Sequence, residues 1–391
     1  MTRMHFDVAV IGGGMVGAAT ALGLAKQGKR VAVVEGYKPE PFSASQALDI
    51  RISAISKSSV DLLQQLGAWS HVQSKRVFPY MGLETWELDN CRTRFDASSL
   101  QLPLLGYMVE NRVLQLGIWQ ALQAYSNVSF YCPDALVDMK TSELGKQIEL
   151  SSGEQISTSL VVGADGANSK VRHIAGIGVT AWDYRQDCML INVETDCADT
   201  DVTWQWFTPQ GPRSYLPMGA GQGCLVWYDS PKRIKQLSQL TPEALKLEIE
   251  ACFPERIGTV SVNNFASFPL KRRHVQHYCK ESVVLVGDSA HTINPLAGQG
   301  VNLGFKDVQG LLEVLEEGDY SLDNLKRYQK LRRTDNLLMQ TAMDAFYLGF
   351  SNNIGPVKLL RNMGLKLADR AGPIKDQALK YALGLYTNRT K

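Results

Sequence analysis

Paired cysteines are missing from this sequence. The seven present (91, 132, 188, 197, 224, 252 and 279) are odd in number, widely spread and never spaced C-x-x-C. That pattern indicates neither a disulfide framework nor a zinc ribbon, and it places the protein in a reducing compartment, the cytoplasm. Long apolar runs are missing as well: no stretch of about 18 consecutive apolar residues occurs, so no transmembrane helix is expected. The apolar start of the chain is broken by Gly12, Gly13 and Gly14 and carries no small-residue cleavage site, so no signal peptide is expected either. Charge of one sign is also scarce. With 41 Lys and Arg against 39 Asp and Glu, the net charge is +2, too balanced for bulk phosphate binding, and no nucleic-acid partner is expected. At 45% hydrophobic and 20% charged over 391 residues, the composition is that of a globular protein large enough for two or three domains, without repeats or low-complexity tracts.

What is there begins with a βαβ pattern. Phe6 to Ile11 is a short β-branched run that stops at glycine, Val16 to Gln27 has helical spacing and ends at Gly28, and Arg30 to Glu35 reads as a second buried strand. A parallel pair with a helical crossover implies a doubly wound sheet. Leu160 to Gly163 and Val283 to Gly287 are two further short strands ending in turns. Between them, Leu190 to Asp229 alternates like strand and is rich in aromatics, which suggests an inserted, mostly antiparallel sheet. From Gly300 to about Leu385 the spacing is helical.

Gly12-x-Gly14-x-x-Gly17 sits between the first strand and the helix, where glycines permit a tight turn and close backbone approach to a pyrophosphate at the helix start. Glu35 lies 18 residues beyond Gly17, placed to accept hydrogen bonds from ribose hydroxyls. Strand, turn, helix, strand and acid together point to a dinucleotide. Only one such fingerprint is present, so a second, nicotinamide-binding Rossmann domain is not expected. Gly23 to Lys29 mimics a P-loop, but Arg30 stands where Ser or Thr is needed. His274 and His277 lack the partners of a metal shell, so no metal is expected and their role is solvated or structural. Lys271-Arg272-Arg273 reads as a solvated strand flank.

Two more stretches settle which dinucleotide. Asp165-Gly166-Ala167-Asn168-Ser169-Lys170-Val171-Arg172 and Gly287-Asp288-Ser289-Ala290-His291-Thr292-Ile293-Asn294-Pro295, continued by Leu296-Ala297-Gly298-Gln299-Gly300-Val301-Asn302, resemble the DGxxSxxR and GDxxHxxxP motifs of the FAD-dependent aromatic hydroxylases over nearly the whole chain. The resemblance implies an α/β fold: a Rossmann-like FAD domain (1–75, 105–182 and 270–320), an inserted, mostly antiparallel substrate sheet (76–104 and 183–269) and a helical C-terminus (321–391). It implies FAD held by Gly12, Gly14, Met15, Val16, Gly17, Glu35 and Asp165. Asp288 meets the ribityl chain, Arg51 reaches the cofactor, and Asn111 stands where many members carry Arg or Gln. Pro295 and Gly298 position the flavin, and Gly298 to Asn302, with Gly300 and Val301 between them, lie at its pyrimidine end. There the start of a helix favours the negative charge of the reduced ring. His291 is chiefly structural in that family, and no acid–base pair is implied.

Gly106 to Asn111, Phe207 to Arg213, Phe346 to Asn353 and Leu379 to Leu385 resemble the ubiquinone-biosynthesis hydroxylases within that family. The implied reaction inserts one oxygen of O₂ into the ring of a polyprenylated benzoquinol through a flavin C4a-hydroperoxide, which requires a dry site. A reduced donor of the NAD(P)H type binds transiently or acts through a partner. Sister enzymes acting at another ring position, a flavin reductase or halogenase on the same fold, and an inactive scaffold are the alternatives. Tyr215 and Pro217, in the aromatic sheet, are candidates for the substrate wall, with ordinary core packing as the competing role. From Gly355 to Lys391, eight basic residues stand against two acidic ones, and Leu359, Leu360, Met363 and Leu367 share a helical face. This segment either contacts a membrane surface or a ubiquinone-biosynthesis complex, or packs as a terminal helix with a solvated basic face.

Overall fold

A computed structural model describes residues 5–294 and 300–385. Its first sheet carries the order Val283–Leu285, Gln155–Gly163, His5–Ile11, Val31–Val34, Val128–Tyr131, all parallel, with Cys279–Lys280 antiparallel on one edge. These strands are short and β-branched because both faces are covered, and every side chain of Val31–Val34 is buried. The helix Met15–Lys26 is Ala- and Gly-rich because it must lie close to the sheet. A hairpin, Leu136–Ser142 and Gly145–Leu150, extends Gln155–Gly163 on the antiparallel side.

The second sheet is inserted, and its order is His291–Thr292, Val260–Val275, Val179–Thr195, Gln222–Asp229, Arg213–Pro217, Val202–Trp206, Gly82–Trp86, Thr93–Asp96. It is antiparallel except where Val202–Trp206 runs parallel to Gly82–Trp86. A small three-stranded sheet of Ile52–Ser56, Gly106–Glu110 and Phe78–Tyr80 joins the two. Helices Gly300–Val314, Leu322–Phe350, Gly355–Arg370 and Pro373–Ala382 follow.

Period-2 alternation gives the inserted sheet two different faces. Trp204, Tyr215, Leu225, Trp227, Ile191 and Met189 face one way and pack with Ile234, Leu237, Leu245 and Ile249 of two short helices. The other face carries Cys188, Leu190, Leu216, Val226, Tyr228 and Phe268, which meet Met343 and Tyr347 of the long helix. Asn192 and Asn264 donate from that second face to the Leu48 carbonyl, tying the sheet to the loop that leads into Arg51.

Candidate functional site

The ends of the parallel strands converge. Gly12 sits at φ +102°, and a Cβ there would stand 2.4 Å from the Ala164 carbonyl oxygen, so the turn after the first strand requires glycine. A Cβ on Gly17 would come within 1.9 Å of the Gly12 carbonyl oxygen. At Gly14, by contrast, nothing lies within 4 Å of the missing Cβ, so the unpaired amides of the helix start border open space. Val16 packs against Gly287 and Gly304, with Met15 partly buried beside it. The Glu35 carboxylate accepts the amides of Gly13 at 2.6 Å and Tyr37 at 3.0 Å. Each oxygen keeps a further lone pair, so bracing the turn is compatible with accepting ribose hydroxyls.

Asp288 follows the strand Val283–Leu285. Solvent reaches it, yet desolvation raises its carboxyl, with His291, Arg51 and Arg273 drawing it partly back. Its side chain is therefore open to solvent while protein atoms crowd around it. Arg51 rests over the Phe268 ring at 5.6 Å. Among the described residues, neither the Asp288 carboxylate nor the Arg51 guanidinium has a hydrogen-bond partner. Open space at Gly14, carboxylates after the strands Val31–Val34 and Val283–Leu285, and the Arg51 cation near Asp288 fit FAD.

Several positions have roles in this structure that the sequence did not disclose. The Asp165 carboxylate accepts from Ser169 Oγ and the amides of Lys170 and Val171, so its side chain caps a helix start. Asn111 accepts from Ser53 Oγ at 2.7 Å, and its amide donates to the Arg51 carbonyl at 2.9 Å, so it holds the strand carrying Arg51. The Asn302 side chain is buried and binds Ser56, Ser59 and the Ala54 carbonyl, pinning its helix to the small sheet. Gly300 and Val301 begin that helix, while Pro295 and Gly298 lie outside the described residues.

Tyr215 requires a correction. It stacks on Trp204 with centroids 5.6 Å apart in the core on the far side of the sheet, and Pro217 shares its parity. Neither lies on the face that carries Phe268, because a shift of one residue along a strand changes the face. In the basic run Lys271 is exposed, as a solvated strand flank would be, while Arg272 pairs with Asp344 and Arg273 donates to the Ala167 carbonyl at 2.7 Å.

Sequence reasoning missed the residues that hold these loops together. Gln115 and Trp119 both donate to the Gly13 carbonyl, at 2.8 and 2.7 Å. Their i, i+4 spacing, continued from Asn111, was the available signal. Arg172 joins the two motifs by donating to the Ser289 and Ala167 carbonyls. Behind them lies a buried polar network, in which Asp307 accepts from Gly287 N, His291 Nε2, Arg332 Nε and Asn336 Nδ2. His274, buried next to it, binds Gln340 at 2.7 Å. Among the described residues no group of three His, Cys, Asp or Glu is arranged to hold a metal.

Burial lowers the His274 imidazole to about 4, against the opposing Gln340 hydrogen bond. An unfolded-state pKa near 6.5 therefore exceeds the folded one, so the stability this contributes is complete above pH ~6.5 and is lost as pH falls toward 4. His274→Gln is expected to flatten the loss of stability across that window, by up to about 3 kcal/mol. Urea unfolding at a series of pH values checks this, and an unchanged slope refutes it.

A narrow crevice has Asn294 at its wall. Gln186, Phe207, Pro212, Tyr228, Tyr347 and Phe350 line it. Phe207 and Phe350 stack at 4.0 Å. Two buried acceptors among its lining residues, Gln186 Oε1 and Asn294 Oδ1, have no hydrogen-bond partner among the described residues.

Comparison with known proteins identifies the family. A family model described as FAD binding domain matches residues 5–336. The chain is 52% identical to the 3-demethoxyubiquinol 3-hydroxylase of Escherichia coli (strain K12), with 98% of this chain and 100% of that protein covered. It is 34% identical to the ubiquinone hydroxylase UbiL of Rhodospirillum rubrum, over 97% and 89% of the two chains. The solved structure of p-nitrophenol 4-monooxygenase from Pseudomonas putida DLL-E4 superposes with a TM-score of 0.82 at 18% identity, covering 97% of this chain and 99% of that one, and supports the fold.

Proposed function

The chain belongs to the FAD-dependent ubiquinone-biosynthesis hydroxylases and is a flavoprotein monooxygenase, and from that premise we propose that it hydroxylates the ring of a polyprenylated benzoquinol with one oxygen of O₂. The observation that supports this reading is that Val16 of the glycine turn packs at Gly287, beside Asp288, which Arg51 influences electrostatically, while an aromatic crevice lies at Asn294. Bound FAD supplies the reduction of O₂ and the electrophilic oxygen. The protein's own residues do the rest. Asp288 and Arg51 orient the cofactor from opposite sides, and the glycine turn receives its pyrophosphate. Phe207, Tyr228 and Phe350 exclude water from the ring. A hydroquinol presents two hydroxyl donors, and Gln186 and Asn294 offer two unsatisfied acceptors.

The reducing equivalents come from NAD(P)H bound transiently, or through a partner, in keeping with a single dinucleotide fingerprint. The substrate's tail argues for work at a lipid surface or in a biosynthetic complex. No helix among the described residues is long and apolar enough to cross a membrane. Turnover of a short-tailed demethoxyquinol under ¹⁸O₂ tests the reaction: one labelled oxygen in the product is expected. Reductant consumption without labelled product makes the protein a flavin reductase instead.

Asp288→Ala is expected to weaken FAD binding by about 1–3 kcal/mol, through loss of an acceptor at a buried hydrogen bond. Flavin retention during dialysis measures it, and parental retention refutes the placement.

A further inference from the structure

The helix Gly355–Arg370 buries only Asn362 and Leu365 and turns most of its apolar side chains outward. Its protein-facing side buries Leu365 against Phe207 and Phe350 and is otherwise held by polar contacts: Arg361 forks onto the Glu87 carboxylate, Asn362 donates to Glu87 Oε2 at 2.6 Å, and Thr93 donates to the Leu365 carbonyl at 2.8 Å. The outward side carries Leu359, Met363 and Leu367 at successive i+4 positions with Leu360 beside them, exposed by 64, 52, 65 and 68% respectively. An ordinary surface helix turns this stripe inward. The helix does pack on the protein, through Leu365 and Asn362, but the apolar stripe lies outside that contact. The charge pattern is also sorted by this geometry. Arg361 belongs to a buried ion pair and Lys375 to an ion pair with Asp369. Lys366 and Arg370 are exposed and have no ion-pair partner among the described residues.

We propose that this stripe docks the enzyme on an anionic lipid bilayer, with the four apolar side chains entering the acyl boundary and Lys366 and Arg370 meeting the headgroups. The proposal rests on the reading that the substrate carries a polyprenyl tail, and it names the surface at which that substrate is met. Unpaired cations beside leucines complement an anionic, apolar boundary. A second copy of the chain complements them poorly, because a two-fold interface sets the same patch, cations included, against itself.

The FAD-loaded full chain is mixed with vesicles of phosphatidylcholine alone or with phosphatidylglycerol and sedimented. Salt-sensitive binding to the anionic vesicles is expected. Lys366→Gln with Arg370→Gln should weaken it about 30-fold, at roughly 1 kcal/mol per charge. Leu359→Ser, Met363→Ser and Leu367→Ser together should weaken it roughly 100-fold or more. Both variants should keep the parental turnover of a short-tailed quinol and lose that of a long-tailed one presented in vesicles. Absence of short-tail turnover in the parent would remove the substrate reading, while vesicle binding still reports on docking by itself. Equal vesicle binding by parent and triple variant overturns the proposal. So does a parent that self-associates without binding vesicles while the triple variant is monomeric, which makes the stripe an interface between copies.

Discussion

Gly17→Val is expected to abolish FAD retention and to lower stability by about 3 kcal/mol or more. Most overpacked sites relax by moving a flexible side chain. Here the added Cβ would stand 1.9 Å from the Gly12 carbonyl oxygen and 2.9 Å from Ala164 Cβ, so the obstruction is mostly backbone. That backbone cannot yield freely, since the Gly12 amide is bonded to the Val34 carbonyl at 2.8 Å and the Ala164 amide to the Ile11 carbonyl at 2.7 Å. Relief has to come from lifting the helix Met15–Lys26, which displaces the amides meant for the pyrophosphate and unseats Val16 from Gly287 and Gly304. Gly14→Ala is the control, because nothing lies within 4 Å of its Cβ position. Its stability should match the parent. Flavin absorbance after gel filtration and thermal unfolding of both variants read the difference, and a Gly17→Val protein that keeps its flavin contradicts the account.

The contrast between those two glycines marks what was legible in the sequence. The Gly12–Gly17 spacing, Glu35 and the two Gly-Asp motifs are local patterns read along one strand end and one helix start, and the strands and helix appear where the apolar runs predict them. Face assignment was not legible in the aromatic sheet. Trp227 stands between Val226 and Tyr228, and Tyr215 beside Leu216, all apolar, so composition alone does not show which set meets the helices Pro231–Leu237 and Pro242–Cys252. Long-range pairs were hidden for a different reason. Arg361 and Glu87 are 274 residues apart, as are Glu87 and its Lys358 neighbour to within a few residues, and nothing local marks either as paired. The apolar face of Gly355–Arg370 was visible as periodicity, but its direction came only from Arg361 and Asn362 reaching inward.

Asp307→Asn is expected to cost about 3–5 kcal/mol, the range for breaking a buried ion pair by removing one partner. The substitution keeps volume and shape, so packing explains none of the loss. A carboxylate offers about four acceptor sites, and Asp307 uses both oxygens on four donors: Gly287 N at 3.0 Å and His291 Nε2 on one, Arg332 Nε at 2.8 Å and Asn336 Nδ2 at 3.1 Å on the other. An amide has one acceptor oxygen, and its NH₂ group confronts at least one of these donors. Arg332 loses its fully buried counter-charge, retaining Asp335 at 2.8 Å. Burial alone would raise the Asp307 carboxyl, but His291 and Arg332 hold it well below the usual carboxylate range. A depressed folded pKa contributes stability that is complete above the unfolded value near 4 and is lost as pH falls through the folded one. The gap between parent and variant should therefore be constant above pH about 5 and narrow in acid. Because Gly287 N is one of the four donors and Asp288 is the next residue, the variant should also bind FAD more weakly. Denaturant unfolding from pH 7 down to 3, with flavin content measured on the same samples, tests both parts, and a gap that widens in acid would show that Asp307 is not the charged hub of this network.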